Sequence, residues 1–201
     1  MGVSTAFFDQ LYEQNPDPWA FRERWYEQRK RALTLASLPR QHYGSIYELG
    51  CANGELSAGL AQRTDRLLCC DAAARAVELA QQRLSHCPNV EVRQSRLPAD
   101  WASGRFDLIV LSELGYYLDA NELQPLIERI AGSLAEQGQV LACHWRPAIE
   151  GCALTGDQVH GLLHAGLGLS RLAQHLEDDF VLEVWGLDPM SVASPPGLPL
   201  T

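Results

Sequence analysis

The sequence lacks the features that mark a disulfide scaffold, a zinc finger or a membrane protein. None of its six cysteines forms a CxxC pair, and no cysteine–histidine set has zinc-finger spacing. No apolar run approaches the roughly 18 residues that a membrane span needs. The first ten residues contain neither the basic nor the apolar segment of a signal peptide. We therefore expect a cytoplasmic protein with reduced, mostly buried thiols and no bound metal.

Basic residues are scarce relative to acidic ones. The 201 residues include 16 Lys and Arg against 25 Asp and Glu, which gives a formal net charge of −9. A surface of this sign repels phosphate backbones, so nucleic acids and anionic membranes are poor candidate partners. Hydrophobic residues make up 46% of the chain, the usual share for a globular protein. We therefore expect a globular monomer or homodimer whose partner is a small molecule.

From residue 45 onward, short apolar runs alternate with helical segments. The strand-like runs are 45–51, 67–71, 90–94, 106–112, 139–144, 170–175 and 180–185. The helical segments between them are 55–62, 72–84, 121–135 and 156–166. This alternation predicts parallel βαβ units covered on both faces. Only four residues separate the last two runs, too few for a crossover, so these runs should pair antiparallel.

The predicted fold is therefore a doubly wound α/β domain over residues 41–188. Its mostly parallel seven-stranded sheet ends in an antiparallel terminal hairpin. Residues 1–40 form a separate helical segment, with helices at 4–14 and 18–37 and with Asp17 placed to cap the second. Residues 189–201 are rich in proline and small residues, which predicts a disordered tail.

A glycine-rich turn follows the first predicted strand. Gly50 and Gly54 let the backbone bend sharply and approach a ligand closely. The turn lies at the carboxyl edge of the sheet, where open α/β sheets bind ligands. Asp71 ends the second strand 21 residues after Gly50, and a carboxylate at that spacing suits the two hydroxyls of a ribose. The pattern favours a ligand that contains ribose over a turn that serves packing alone.

The residues around this turn decide between two kinds of nucleoside. A dinucleotide fingerprint would place glycine at 50, 52 and 55, but this chain has Ala52 and Glu55. Glu55 opens the next helix, where a pyrophosphate would otherwise bind, and Glu48 adds a second acid before the turn. Two carboxylates favour a cationic sulfonium nucleoside, S-adenosylmethionine, over NAD. A nicotinamide oxidoreductase is kept as a second alternative.

The motifs resemble those of class I S-adenosylmethionine-dependent methyltransferases. ELGCANG at 48–54 is similar to their first motif, Asp71 to their ribose-binding acid, and FDLIVLSE at 106–113 to their fourth-strand motif. Closer resemblance is to the NodS-like nodulation N-methyltransferases of chitooligosaccharides. The stretches that carry it are DPW at 17–19 with Tyr26, Glu27 and Lys30, SELGYYL at 112–118, HWR at 144–146 and LTGDQVH at 154–160.

The resemblance implies a Rossmann-like methyltransferase fold that converts S-adenosylmethionine to S-adenosylhomocysteine. The second N-terminal helix would be a lid, although its interleaved aromatic and basic residues alone would suggest single-strand RNA binding. The third strand departs from the family pattern, because Ser95 stands where an acid often holds the adenine amine. The expected cofactor contacts are Trp19, Tyr26, Glu48, Gly50, Cys51, Ala52, Gly54, Asp71, Ala72, Ser95, Arg96, Leu97, Ser112 and Glu113.

Four residues are candidates for the chemistry. Glu113 follows the fourth strand and would be a base or an amine-binding acid, or alternatively a ligand of the methionyl group or a helix-start acid. Tyr116 and Tyr117 would line the methyl channel or stack on a sugar, or serve as core aromatics. His144 ends the fifth strand and could act as a base, because imidazole titrates near neutral pH.

The acceptor should be a small polar amine or alcohol, with N-methylation of an amino sugar favoured by the resemblance. The predicted acceptor contacts are Tyr117, Trp145, Arg146 and His160. For His160 the alternative is a solvated helical histidine. A non-catalytic S-adenosylmethionine-binding protein, or a partner subunit of an enzyme, is the competing function.

Overall fold

The computed structural model describes residues 5–187 and Val192, and a seven-stranded sheet organises this part of the protein. The strands are β1 (Tyr43–Leu49), β2 (Thr64–Asp71), β3 (Val90–Gln94), β4 (Phe106–Ser112), β5 (Leu134–Trp145), β6 (Ser170–Leu176) and β7 (Phe180–Gly186). Their spatial order is β3-β2-β1-β4-β5-β7-β6. The first five strands are parallel, whereas β7 is antiparallel to both β5 and β6. The predicted fold class is confirmed.

Helices cover both faces of the sheet. They are α1 (Thr5–Gln14), α2 (Trp25–Ala36), α3 (Glu55–Ala61), α4 (Ala74–Arg83), α5 (Ala120–Gly132) and α6 (Gly156–Leu167). Alternate residues of each central strand face opposite cores. On β4, for example, Ile109 packs in the core with α5 and α6, while Leu108 packs in the core with α3 and α4. The continuous burial of residues 108–111 on β4 follows from this double cover.

The second N-terminal helix begins later than the sequence predicts. It starts at Trp25, not near Pro18. The carboxylate of Asp17 does cap a turn, because it accepts the N–H groups of Phe21 and Arg22. Ala20 then adopts a φ of 55°, which a right-handed helix cannot contain. Residues 17–24 are therefore a capped turn that leads into α2.

Other boundaries differ where strand pairing outweighs local helical preference. The helix predicted at 121–135 ends at Gly132, and β5 begins at Leu134, which pairs with Phe106 on β4. Asp119 caps α5 in a reciprocal capping box with Glu122. All six cysteines are free thiols, four of them buried, as predicted.

The predicted segments of the chain are residues 1–40, 41–188 and 189–201. The tail predicted at 189–201 lies outside the described residues, apart from Val192. The division into a helical segment at 1–40 and a domain at 41–188 stays a prediction. Among residues 5–187, no helix is both long and apolar enough to cross a membrane.

Candidate functional site

A cavity of about 920 Å³ opens at the carboxyl edge of the sheet. It lies beside β1 and β4, where the strand order reverses, which is where open α/β sheets bind ligands. Its size is within the roughly 300–1,000 Å³ of small-molecule sites. The predicted site residues that line it are Trp19, Tyr26, Glu48, Gly50, Cys51, Ala52, Asp71, Ala72, Ser95, Arg96, Leu97, Ser112, Glu113, Tyr116, Tyr117 and Trp145.

Four predicted site residues do not line the cavity: Gly54, His144, Arg146 and His160. Sequence reasoning also missed several residues that do, among them Phe8 and Tyr12 of α1. The pattern of α1 gave no signal that this helix closes over the sheet edge. Glu27, Lys30 and Asn53 were missed as well, although all three lie inside the segments that carry the family resemblance.

The glycine turn takes its shape from three left-handed residues. Gly50, Ala52 and Gly54 have φ angles of 73°, 50° and 81°. The amides of Gly50 and Cys51 both donate to the Cys70 carbonyl, which holds the turn against β2. A Cβ atom on Gly54 would lie 3.2 Å from the Cα atom of Ala80. Gly54 therefore allows α4 to pack closely against the turn, which corrects its predicted role as a cofactor contact.

Asp71 joins the glycine turn to the end of β2. One carboxylate oxygen accepts the Ala52 amide at 3.0 Å, and the other accepts the Ala73 amide at 3.0 Å. Burial raises the pKa of Asp71, and these backbone donors oppose the rise. Each oxygen keeps further lone pairs for a ligand. The carboxylate is thus fixed in direction at the cavity wall.

The two acids beside the turn do not form the negative pair that the sequence suggested. Glu55 is bonded at 3.0 Å to both Arg22 and Arg83, so its charge is compensated. Glu48 is 2% exposed and accepts a hydrogen bond from the Cys69 thiol. Burial raises the pKa of Glu48 to about 7. The argument that Glu55 repels a pyrophosphate is therefore wrong.

Glu113 lies at the centre of a polar cluster between the sheet and α2. Its Oε1 atom is 2.6 Å from Lys30 Nζ, and its Oε2 atom accepts the Trp145 amide at 2.9 Å and a short bond from the Tyr116 hydroxyl. Lys30 also contacts Glu27 at 3.1 Å. Burial lowers the pKa of Lys30, but Glu113 and Glu27 outweigh it and the net pKa rises. Glu113 is therefore an anchored carboxylate whose near contacts are all donors.

Aromatic rings form the cavity walls around this cluster. The ring centroid of Tyr117 lies 4.9 Å from that of Phe8 and 4.8 Å from that of Tyr116, both edge to face. On the other side, Tyr26 meets Trp145 edge to face at 5.8 Å. Such walls bury the apolar face of a ring-shaped ligand. Lys30 lies over the ring of Tyr26 at 4.9 Å, which adds a cation–π contact.

His144 is fully buried, and its ring makes hydrogen bonds on both nitrogens. Nε2 accepts the Gly115 amide at 3.0 Å, and Nδ1 lies 3.0 Å from His160 Nε2. Burial, reinforced by the nearby His160 and Lys30, lowers the pKa of His144 well below its usual range. The prediction that His144 acts as a base is therefore not supported, because it neither reaches the cavity nor has a free nitrogen.

Arg146 and His160 also fail to reach the cavity as predicted. Arg146 makes a two-pronged contact with Asp157 at 2.8 and 3.1 Å and donates to the Glu177 carbonyl, which directs it away from the site. His160 is 4% exposed and faces His144 and Glu183 inside the protein, so it is not the solvated histidine of the alternative interpretation either.

Two polar atoms at the cavity support a fit to an adenosyl amino acid. The Tyr26 hydroxyl and the Asn53 Oδ1 atom are buried without a hydrogen-bond partner among the described residues. Both residues line the cavity. Buried polar atoms of this kind usually await a water or a ligand. Within residues 5–187 and Val192, no cluster of three or more metal-ligating side chains occurs.

The sheet order and the glycine turn facing Asp71 define a Rossmann-like fold of the S-adenosylmethionine-dependent methyltransferase class. The chain matches the family model of Nodulation protein S (NodS) over residues 8–163. It therefore belongs to the NodS family, as the sequence motifs predicted.

Individual relatives agree with this assignment. Nodulation protein S from Rhizobium tropici is 28% identical over 127 residues, which cover 62% of this chain and 53% of that protein. The chain thus spans only about half the length of this curated relative. A Pseudomonas syringae protein provisionally described as a methyltransferase is 55% identical, over 81% of this chain and 99% of its own, with a TM-score of 0.74.

A solved NodS structure shares the fold. The N-methyltransferase NodS from Bradyrhizobium japonicum, crystallised with S-adenosylhomocysteine, is 24% identical and has a TM-score of 0.83. The match covers 92% of this chain and 98% of that one. This likeness shows that the two chains share the fold.

Proposed function

We propose that this protein is an S-adenosylmethionine-dependent methyltransferase. The observation that carries the proposal is the carboxylate of Asp71, fixed by the Ala52 and Ala73 amides at the edge of a small-molecule cavity. In that position its free lone pairs suit the two ribose hydroxyls of an adenosyl ligand. Membership of the NodS family supports the same ligand class.

The remaining cavity residues suit the other parts of this ligand. Leu97, Ala72 and Ser95 line the end of the cavity near β2 and β3, and we assign the adenine to them. The amino-acid portion would lie near Gly50 and the unpartnered Asn53 Oδ1, which can accept from its ammonium group. Bound S-adenosylmethionine supplies an electrophilic methyl group, so the protein mainly contributes alignment and exclusion of water.

The acceptor in this proposal is a small polar amine, with amino sugars as the first class to test. The aromatic walls suit the apolar face of a sugar ring, and the solved NodS relative is described as an N-methyltransferase. Glu113 is anchored by three donors, so we assign it to orienting Tyr116 and not to proton removal. The Tyr116 oxygen keeps lone pairs that can accept an acceptor N–H and align its nitrogen.

Cofactor class is tested by ligand-dependent thermal stability. At 100 to 1,000 times its Kd, S-adenosylhomocysteine or S-adenosylmethionine should stabilise the protein by roughly 3–4 kcal/mol. NAD at the same concentration should leave the unfolding temperature unchanged. Stabilisation by NAD alone would instead favour the nicotinamide oxidoreductase.

Catalysis is tested separately, by transfer of labelled methyl from S-adenosylmethionine to glucosamine and its β-1,4-linked oligomers. N-acetylglucosamine oligomers are the matched control, because acetylation removes the free amine. Label in the amine forms only supports the proposal. If S-adenosylhomocysteine binds but no amine in a broader library is ever labelled, the protein is a non-catalytic binding protein or partner subunit.

A further inference from the structure

Three buried residues, here called the buried histidine network, connect the sheet interior to the cavity wall. The network consists of His144 at the end of β5, His160 on α6 and Glu183 on β7, which are 0%, 4% and 2% exposed. His144 Nδ1 lies 3.0 Å from His160 Nε2, and His160 Nδ1 lies 2.7 Å from Glu183 Oε2. None of the three lines the cavity.

The partners at both ends fix where the protons lie. Glu183 accepts from Arg171 and Gln174 at Oε1 and leaves Oε2 for His160, so His160 carries its proton on Nδ1. His160 Nε2 must then accept from His144 Nδ1–H. That tautomer leaves His144 Nε2 as an acceptor, and the Gly115 amide donates to it at 3.0 Å. Every ring nitrogen of the network is thus satisfied by one arrangement of protons.

Gly115 begins the short 3-10 turn Gly115–Tyr117 that carries two cavity residues. Tyr116 donates from this turn to Glu113, and Tyr117 meets Phe8 of α1. The turn has no room to shift toward α6, because a Cβ atom on Gly115 would collide with a methyl carbon of Val159. The amide that opens this turn therefore has its acceptor in the network.

We propose that His160 and Glu183 are positioning residues that hold the turn Gly115–Tyr117, and with it the acceptor side of the cavity, through His144. The inference rests on the proposed methyl-transfer function for its consequences but not for its geometry. Burying three polar groups is costly unless every donor and acceptor is paired, and a fully paired network selects one arrangement of its surroundings. Apolar residues of the same volume would fill this space but would not orient Gly115.

Glu183→Gln tests the proposal because glutamine has the shape of glutamate but carries an N–H₂ donor in place of one carboxylate oxygen. Arg171 and Gln174 are both donors, so the new amide oxygen should stay with them and the amide N–H₂ group should face His160. His160 Nδ1 must then accept, which moves its proton to Nε2 and forces His144 to carry its proton on Nε2 as well. Two donors then face each other at Gly115, and the amide loses its acceptor.

Two measurements that need no substrate follow this change in the full-length protein. Nitrogen-15 NMR of the histidine rings should show Nδ1–H tautomers at 144 and 160 in the wild type and Nε2–H tautomers in Glu183→Gln. Hydrogen exchange of the Gly115 amide should become at least tenfold faster in the variant. Unchanged tautomers, or unchanged exchange at Gly115, would overturn the proposal even if methyl transfer is never observed.

Kinetics then separate positioning from general destabilisation. With labelled S-adenosylmethionine and glucosamine oligomers, kcat/KM for the amine should fall about tenfold in Glu183→Gln, while the Kd of S-adenosylhomocysteine stays within about threefold. Gln139→Leu is the matched control, because it removes a buried polar group near the middle of β5, five residues before His144, where Gln139 accepts from Tyr43. If this control loses acceptor efficiency and cofactor affinity to the same extent as Glu183→Gln, the network has only a structural role.

A second variant keeps the test decisive if Glu183→Gln folds poorly. His144→Phe retains a ring of similar size but removes the acceptor for Gly115, so it should show the same faster exchange and the same kinetic loss. The double variant Glu183→Gln/His144→Phe should lose no more of kcat/KM than His144→Phe alone, because both changes break the same chain of hydrogen bonds. Losses that add fully would contradict a connection between Glu183 and Gly115 through His144.

Discussion

The ammonium nitrogen of Lys30 lies 2.6 Å from a carboxylate oxygen of Glu113, and this contact joins α2 to the end of β4. Glu27 contacts the same ammonium at 3.1 Å, so one buried cation is paired with two acids. Because removal of one partner leaves charge uncompensated in the interior, Lys30→Met should lower the free energy of unfolding by about 3–5 kcal/mol.

Urea unfolding at pH 7 measures the Lys30→Met effect. Arg93→Met is a suitable control, because it removes the cation of an exposed pair with Glu91 and should cost less than about 1 kcal/mol. Comparable losses in the two variants would mean that the Lys30 cluster contributes no more than a surface pair. The variant should also bind S-adenosylhomocysteine less well, since α2 would no longer be held against the cavity.

Asp71→Asn tests the ribose assignment. The amide can keep one backbone N–H but loses the charge and one acceptor, so the Kd of S-adenosylhomocysteine should rise roughly 10- to 100-fold, as for a lost hydrogen bond to a charged group. Isothermal titration calorimetry measures the change. Asp65→Asn is the control, because Asp65 lies on the same strand but its side chain is exposed and pairs with His42. Equal affinities for Asp71→Asn and the wild type would place the ribose elsewhere.

Tyr26→Phe tests whether the buried Tyr26 hydroxyl serves a ligand. This oxygen has no partner among the described residues, so its removal from the free protein should leave the unfolding free energy unchanged or raise it by up to about 1 kcal/mol. The stabilisation produced by S-adenosylhomocysteine should become smaller. By contrast, Tyr43→Phe should destabilise the free protein by about 1 kcal/mol, because that hydroxyl donates to Gln139. A destabilised Tyr26→Phe without ligand would show a structural role instead.

The fold was largely predictable because its signals are local in the sequence. The run 106–112 contains four consecutive aliphatic residues at 108–111, and the four residues between the last two runs admit only a hairpin, so strand count and direction followed. Helix boundaries failed where a tertiary contact decided them. The left-handed Ala20 that delays α2, and the pairing of Leu134 with Phe106 that shortens α5, cannot be read from periodicity.

The candidate site was predictable in part, and its electrostatics were not. Position at the end of a strand correctly placed Asp71 and Glu113 at the cavity, but the same reasoning wrongly placed His144 there, because its ring turns into the interior toward His160. Glu55 pairs with Arg83 and Arg22, which lie 28 and 33 positions away from it in the sequence. Such pairings depend on helix packing and leave no local pattern.

Glu48 should make the stability of the free protein depend on pH in an unusual direction. Burial raises its pKa from 4.5 to about 7. Between these values the folded state holds a proton that the unfolded state has released, so stability falls as pH rises through this window. Above pH 7 the folded protein bears the full cost of ionising the buried Glu48. The pKa shift corresponds to a loss of roughly 3 kcal/mol in the free energy of unfolding.

Glu48→Gln removes this penalty, because an amide does not ionise. The difference in unfolding free energy between variant and wild type should therefore shift in favour of the variant by roughly 3 kcal/mol from pH 4.5 to pH 8. Urea unfolding at several pH values measures it. Glu78→Gln is the control, because Glu78 is exposed and paired with Arg75, and its difference should vary by less than about 1 kcal/mol. Parallel pH curves for Glu48→Gln and the wild type would mean that Glu48 is ionised without cost, and hence that the base of the glycine turn is open to water.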